Sequence, residues 1–196
     1  MSSFIGHTLI GIAIGSDQKI LQAKGQIIAF LYFSVLAILP DLDYLVFWLF
    51  NCGMAPRYTH SIGYCAAVSS LGLLISRTSV FKKITGPLHL SAYAICLIPF
   101  SHLVLDYFVG VHKNPILWPL YAGAMTSDIG ILPSAGKIAL TNIFLWRNLM
   151  IEMAILIPVA SGIYVRGQIR KIPVFLRLIL LVFLCFGTVI GMHLTR

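Results

Sequence analysis

The feature that most constrains this chain is a series of long apolar runs, separated by short stretches that carry most of its charged residues. Hydrophobic residues make up 59% of the 196 residues and charged residues only 10%, a balance typical of a protein that lies in lipid. A bilayer core of about 30 Å needs about 20 apolar residues per helix, so this length allows roughly four or five full spans. The sequence therefore predicts one integral membrane domain over residues 1–196.

The predicted fold class is all-α, a polytopic transmembrane helical bundle of about five to six helices, some of them short or kinked. The segments expected to be helical are about 3–15, 26–50, 61–76, 88–109, 149–165 and 173–194. The first and third are short for a span, which is tolerated where protein covers the helix ends. Residues 1–15 lack a basic stretch and a small-residue cleavage site, so we expect them to stay as a helix.

Basic residues are concentrated in alternate connections, and this asymmetry predicts the orientation of the helices. The clusters are Lys19 and Lys24, then Arg77, Lys82 and Lys83, then Arg166, Arg170, Lys171 and Arg177. We expect these connections to face the cytoplasm of a bacterium, with the protein in the inner membrane. Because the net charge of +8 is divided among short clusters, a nucleic-acid partner is not expected.

The predicted external side carries a long connection at about 110–148 with few charged residues. A connection of this length in a small protein is usually functional. Trp118 and Tyr121 within it are compatible both with anchoring at the membrane interface and with contacting a substrate.

Several histidines and carboxylates of this apolar chain fall on the same predicted external side. A charged group at the bilayer centre costs about 2.5–3.5 kcal/mol on insertion scales, so buried carboxylates need a partner. Too few basic residues lie on that side to pair with all of them, which makes a metal ion the more economical partner. The candidate ligands are His7, Asp41, Asp43, His60, His102, Asp106, His112 and Glu152.

Spacing strengthens two of these candidates. His102 and Asp106 are four residues apart, which places both side chains on one helix face with about 5–6 Å between Cβ atoms. Asp41 and Asp43 follow Pro40, which interrupts a helix by removing a backbone donor. Because residues two apart diverge by about 200° on a regular helix, both carboxylates reach one cavity only if the backbone opens locally.

Purely structural roles remain open for the same residues. His7 fits a hydrogen-bonded buried histidine, and His102 with Asp106 fits a polar pair that holds helices together. Asp41 fits a cap for the helix that restarts after Pro40. Glu152 fits an ion pair with Arg147.

Four motifs, LPDLD, RYTHS, SHLVLDYFVGVH and LWP, together resemble the YdjM-like family of bacterial membrane-bound metal-dependent hydrolases, over residues 7–152. That family is similar in turn to zinc-dependent phospholipase C and the single-strand nucleases, which are all-helical enzymes that hold three zinc ions and hydrolyse phosphoesters. The resemblance implies a ligand order of His7, Asp41 or Asp43, His60, His102, Asp106, His112 and Glu152.

This chain departs from the soluble enzymes at two points. They use the amino group of an N-terminal Trp, where this chain begins with Met1 and Ser2, and they place a His where this chain has Asn148. One or two metals are therefore favoured over three. Zinc suits the mixture of imidazole and carboxylate best, and manganese and iron are also compatible.

The resemblance implies a membrane-embedded metal-dependent hydrolase that cleaves a phosphoester of a lipid or lipid-linked substrate at the external leaflet, with a water molecule activated by the metal. Asp41 or Asp43 is expected to act as general base or bridging ligand, and Arg57 to neutralise the developing phosphate charge. Two other functions stay open. A transporter or metal-ion carrier would distribute the same groups through the bilayer, and a non-catalytic membrane adaptor would use them only to hold helices together.

Overall fold

The computed structural model describes residues 3–16, 25–50, 56–85, 90–109, 113–126 and 141–164. Within these ranges the regular structure is helical, and an isolated antiparallel bridge joins Asn114 to Met125. The all-α prediction is therefore confirmed for the described residues. The helix predicted at 173–194 lies outside them.

The helices follow one another along the chain in an order close to the predicted one. They are α1 (Phe4–Gly15), α2 (Gln26–Ile38), a 3-10 turn (Leu39–Leu42), α3 (Asp43–Phe50), α4 (Ile62–Arg77), α5 (Ser79–Thr85), α6 (Ala92–Val109) and α7 (Ile143–Tyr164). α7 begins about six residues earlier than predicted, and the side chain of Asn142 accepts a hydrogen bond from the N–H of Phe144 at its start. α5 was not predicted, because its two lysines indicated a loop.

Two of these helices, α6 and α7, are long and apolar enough to cross a membrane. α4 and α5 meet the same criterion only together, and they are bent by 72° at the break between them. By length and composition the described part of the chain thus holds two or three candidate spans, which supports association with a membrane. A bundle of five to six spanning helices stays a prediction.

α1 is held at the centre of the packing, against α2, α6 and α7. Its glycines allow this close approach: a Cβ added at Gly11 would lie 2.7 Å from the Cβ of Ala37. At Gly15 an added Cβ would lie 2.4 Å from the ring of Phe33. Small residues at helix contacts are a common way for membrane helices to pack. The contact of Gly11 with Ala37 places α1 beside the last turn of α2, just before Asp41.

Pro40 changes the helix geometry between α2 and α3. It lies in the first turn of the 3-10 segment, where a missing N–H is tolerated. The predicted interruption therefore takes the form of a 3-10 turn, which has about three residues per turn. In this turn Asp41 is 1% exposed, whereas Asp43 is half-buried at the start of α3.

Candidate metal centre

Four polar side chains from three parts of the chain converge in the interior. Asp41 comes from the 3-10 turn, His60 from the segment before α4, and His102 and Asp106 from successive turns of α6. All four are buried. One potential ligand atom from each lies within 4.8 Å of the others, so the four residues form a group able to hold a metal ion. We call this group the four-residue cluster.

The separations between its ligand atoms are those of a compact coordination shell. His60 Nε2 lies 3.1 Å from Asp41 Oδ1 and 3.1 Å from Asp106 Oδ2. His102 Nε2 lies 3.3 Å from His60 Nε2, 3.5 Å from Asp41 Oδ1 and 3.8 Å from Asp106 Oδ2. Ligands bound about 2.0–2.1 Å from a tetrahedral zinc are roughly 3.3 Å apart, so these distances fit such an ion.

The tautomer of His102 follows from its partner on α2. Nδ1 lies 2.8 Å from the carbonyl oxygen of Ala37. A carbonyl oxygen only accepts, so Nδ1 carries the proton and donates it. In the neutral ring, Nε2 then offers its lone pair to the cluster, which is the form that binds a metal.

His60 is oriented in the same way by a side chain. Thr59 Oγ1 donates to Asp43 Oδ2 across 2.7 Å and lies 3.0 Å from His60 Nδ1. The hydroxyl has one proton, which it donates in the hydrogen bond to Asp43. Thr59 Oγ1 therefore accepts a hydrogen bond from His60 Nδ1. Both histidines therefore turn an Nε2 acceptor toward two carboxylate oxygens when their rings are neutral.

Acceptor atoms this close together are stabilised by positive charge between them, and the pKa of His60 is shifted in the same sense. Burial by itself lowers this pKa, but hydrogen bonds to the carboxylates of Asp106 and Asp41 outweigh burial and raise it above its usual value. The positive charge is supplied either by a proton on His60 or by a cation bound between the acceptors.

Arg57 forms a clamp on two carboxylates. Its Nε and an Nη donate to Asp43 across 2.8 and 2.6 Å, and the same Nη donates to Asp41 Oδ1 across 3.2 Å. The guanidinium also lies 4.3 Å from the centre of the Tyr44 ring. Burial alone lowers the pKa of Arg57, but the bonds to Asp43 raise it overall, so the side chain keeps its charge. Its described contacts thus orient Asp41 and Asp43.

His7 adjoins the cluster on the outer oxygens of the carboxylates. Its Nε2 lies 3.4 Å from Asp106 Oδ1 and 3.7 Å from Asp41 Oδ2. Its ring stacks on that of His102, with centroids 3.7 Å apart. Neither ring nitrogen of His7 has a hydrogen-bond partner among the described residues, although the side chain is buried. His7 is therefore placed to extend the ligand set.

Of the remaining predicted ligands, Asp43 and Glu152 are not in the four-residue cluster and make other hydrogen bonds, and His112 is not described. Asp43 contacts Arg57 and Thr59. Glu152, 1% exposed, accepts the N–H of Ser3 with both oxygens, at 2.9 and 3.2 Å, where α1 begins. His112 lies outside the described residues.

Three contributors to the site were not predicted from the sequence: the carbonyl of Ala37, the hydroxyl of Thr59 and the ring of Tyr44. Thr59 precedes His60 within RYTHS, so a hydroxyl adjacent to a candidate ligand was a usable signal. The roles of the Ala37 carbonyl and the Tyr44 ring depend on tertiary contacts, which the local sequence does not indicate.

No family model, no curated protein and no solved structure matches this chain.

Proposed function

We propose that this protein is a membrane-embedded metal-dependent hydrolase that cleaves a phosphoester of a lipid or lipid-linked substrate. The observation that supports it most is the buried meeting of four acceptor atoms, from Asp41, His60, His102 and Asp106, at spacings that fit a tetrahedral cation. The resemblance to the YdjM-like family supports the class of reaction.

The ligand set of two imidazole nitrogens and two carboxylate oxygens suits zinc, with manganese or iron as alternatives. A divalent cation held by these residues would supply Lewis acidity, and with one of its coordination positions taken by water it would lower the pKa of that water molecule. His7, beside both carboxylates, is the described residue best placed to serve a second ion.

Asp41 is the best candidate for the general base. Its Oδ1 is engaged by His60 and Arg57, whereas its Oδ2 has no hydrogen-bond partner among the residues described. An ionised carboxylate oxygen with an unused lone pair can accept a proton from water. Arg57 and the bound cation would keep this carboxyl ionised. Through its hydrogen bond to Oδ1, Arg57 would also position Asp41.

The proposed location follows from opposite ends of α4. His60 precedes the start of this helix, whereas Arg77 ends it and Lys82 and Lys83 follow in α5. The helix of 16 residues is about 24 Å long, so the cluster and the basic residues are far apart. With basic residues on the cytoplasmic side of a bacterial inner membrane, the cluster faces the periplasm or the exterior.

The compactness of the cluster favours a hydrolase over a carrier. A transport path needs groups spaced through the bilayer, whereas these ligand atoms lie within 4.8 Å of one another. A non-catalytic adaptor that used these groups only to hold helices together would gain nothing from directing the Nε2 acceptors of His60 and His102 toward carboxylate oxygens.

The test is hydrolysis by the purified protein, reconstituted in lipid and supplied with zinc or manganese. The substrates are a panel of phospholipids and polyprenyl phosphates, and the measured quantity is released phosphate or head group. We expect release by the wild type and by the exposed-site control Ser70→Ala, and none by His102→Ala. A metal-loaded wild type that releases nothing from any member of the panel contradicts the proposal.

A further inference from the structure

An uncharged loop beside the cluster exposes several large apolar side chains. Residues 114–126 contain no Asp, Glu, Lys or Arg. Residues 116–120 form consecutive turns, and we call residues 116–121 the aromatic loop. Leu120 is 84% exposed, and Trp118 and Tyr121 are also exposed. Such a surface is unfavourable in water and indicates a binding surface.

The aromatic loop is firmly attached to the first turn of α4. The N–H of Ile62 donates to the carbonyl of Ile116 across 2.8 Å, and the N–H of Gly63 donates to the carbonyl of Trp118 across 2.9 Å. A Cβ added at Gly63 would lie 2.6 Å from Cδ of Pro119, so the backbones are in close contact. The position of the loop along the axis of α4 is therefore fixed at the start of this helix.

The same surface reaches the segment that carries His60. Tyr58 is 45% exposed, and its ring lies 5.5 Å from that of Trp118. The carbonyl of Tyr58 accepts a hydrogen bond from Ser61 across 2.6 Å, which ties this aromatic pair to the residues on either side of His60.

We infer that the aromatic loop and Tyr58 insert into the lipid interface and hold the metal centre at the depth of the phospholipid head groups. Trp and Tyr prefer this depth, where one end of the ring is apolar and the other is wet. The half of α6 that carries His102 and Asp106 also exposes apolar side chains, Val104 and Phe108. The inference deepens the proposed function, because a phosphoester at this depth belongs to a lipid, but it rests only on membrane insertion and not on a bound metal.

Depth-dependent quenching of tryptophan fluorescence tests this placement. The chain has three tryptophans, so the double variant Trp48→Phe with Trp146→Phe leaves Trp118 as the only one. The protein is reconstituted into phosphatidylcholine vesicles that carry a nitroxide either high or low on the acyl chain, and iodide serves as the aqueous quencher. We expect the shallow nitroxide to quench a larger fraction of the emission than either the deep nitroxide or iodide.

The matched control is Leu71→Trp, in a background with all three native tryptophans changed to phenylalanine. Leu71 is exposed on α4 and lies about 14 Å along the helix from Ile62, so the deep nitroxide should quench it more strongly. Circular dichroism verifies that each variant keeps its helices.

Three results overturn the inference. Quenching of Trp118 mainly by iodide would place the loop in water, and quenching mainly by the deep nitroxide would place it in the bilayer centre. No quenching by either lipid label would mean that protein covers the loop. Since the measurement involves neither metal nor substrate, its failure is distinguishable from failure of the hydrolase proposal.

Discussion

Nδ1 of His102 donates a hydrogen bond to the carbonyl oxygen of Ala37 across 2.8 Å, which joins the middle of α6 to the last turn of α2. This one contact has two consequences. It fixes the ring with Nε2 toward Asp41 and Asp106. It also keeps the proton on Nδ1, because a backbone carbonyl can only accept a hydrogen bond. The packing of two helices thereby sets the metal-binding form of a side chain.

Thr59→Val removes the hydroxyl that accepts from His60 while keeping a similar shape. We expect metal affinity to fall by about 10–100-fold, the usual effect of losing a partner that orients a ligand. Competition with a chromogenic chelator measures this affinity. Thr59→Ser is the control and should bind like the wild type; equal affinity of the Val variant would show that Thr59 does not orient His60.

Asp43→Ala leaves the guanidinium of Arg57 buried without its two hydrogen bonds to Asp43. Removing one partner of a buried ion pair costs about 3 kcal/mol, so we expect the free energy of unfolding to fall by about this amount. Denaturant titration in detergent provides the measurement. Ser70→Ala, at an exposed position of α4, should stay within about 0.5 kcal/mol of the wild type. A loss no larger than that of the control would contradict the clamp.

Gly11→Ala places a Cβ against Ala37 at the contact of α1 with α2. Overpacking of this kind costs about 1–3 kcal/mol, and it moves α1, which carries His7. The midpoint of thermal unfolding should therefore fall. The matched control is Gly162→Ala on α7, where an added Cβ meets nothing within 4 Å, and where alanine favours the helix. Equal midpoints for the two variants would contradict the close approach.

The sequence predicted those parts of the fold that depend on local pattern. The apolar runs located α1, α2, α4 and α6 to within a few residues, and the four-residue spacing placed His102 and Asp106 on one face of α6. Pro40 correctly marked the change of geometry between α2 and α3.

The parts that depend on tertiary contacts were not predictable in this way. Asp41 and Asp43 are only two residues apart, yet only Asp41 belongs to the four-residue cluster, because Asp43 begins α3 and bonds to Arg57 and Thr59 instead. The short helix α5 was also not predicted, since the basic residues around it suggested a loop; Thr78 Oγ1 accepts the N–H of Phe81 at its start.

X-ray absorption at the metal edge of the purified, reconstituted protein tests the central claim most directly. After loading with zinc and removal of loosely bound ions, we predict one or two ions per chain, bound by nitrogen and oxygen ligands at about 2.0–2.1 Å, with the multiple-scattering signature of imidazole. His102→Ala should lose this signal and Ser70→Ala should keep it. A wild-type protein that retains no metal, or one whose metal signal is unchanged by His102→Ala, would contradict a metal centre built on Asp41, His60, His102 and Asp106.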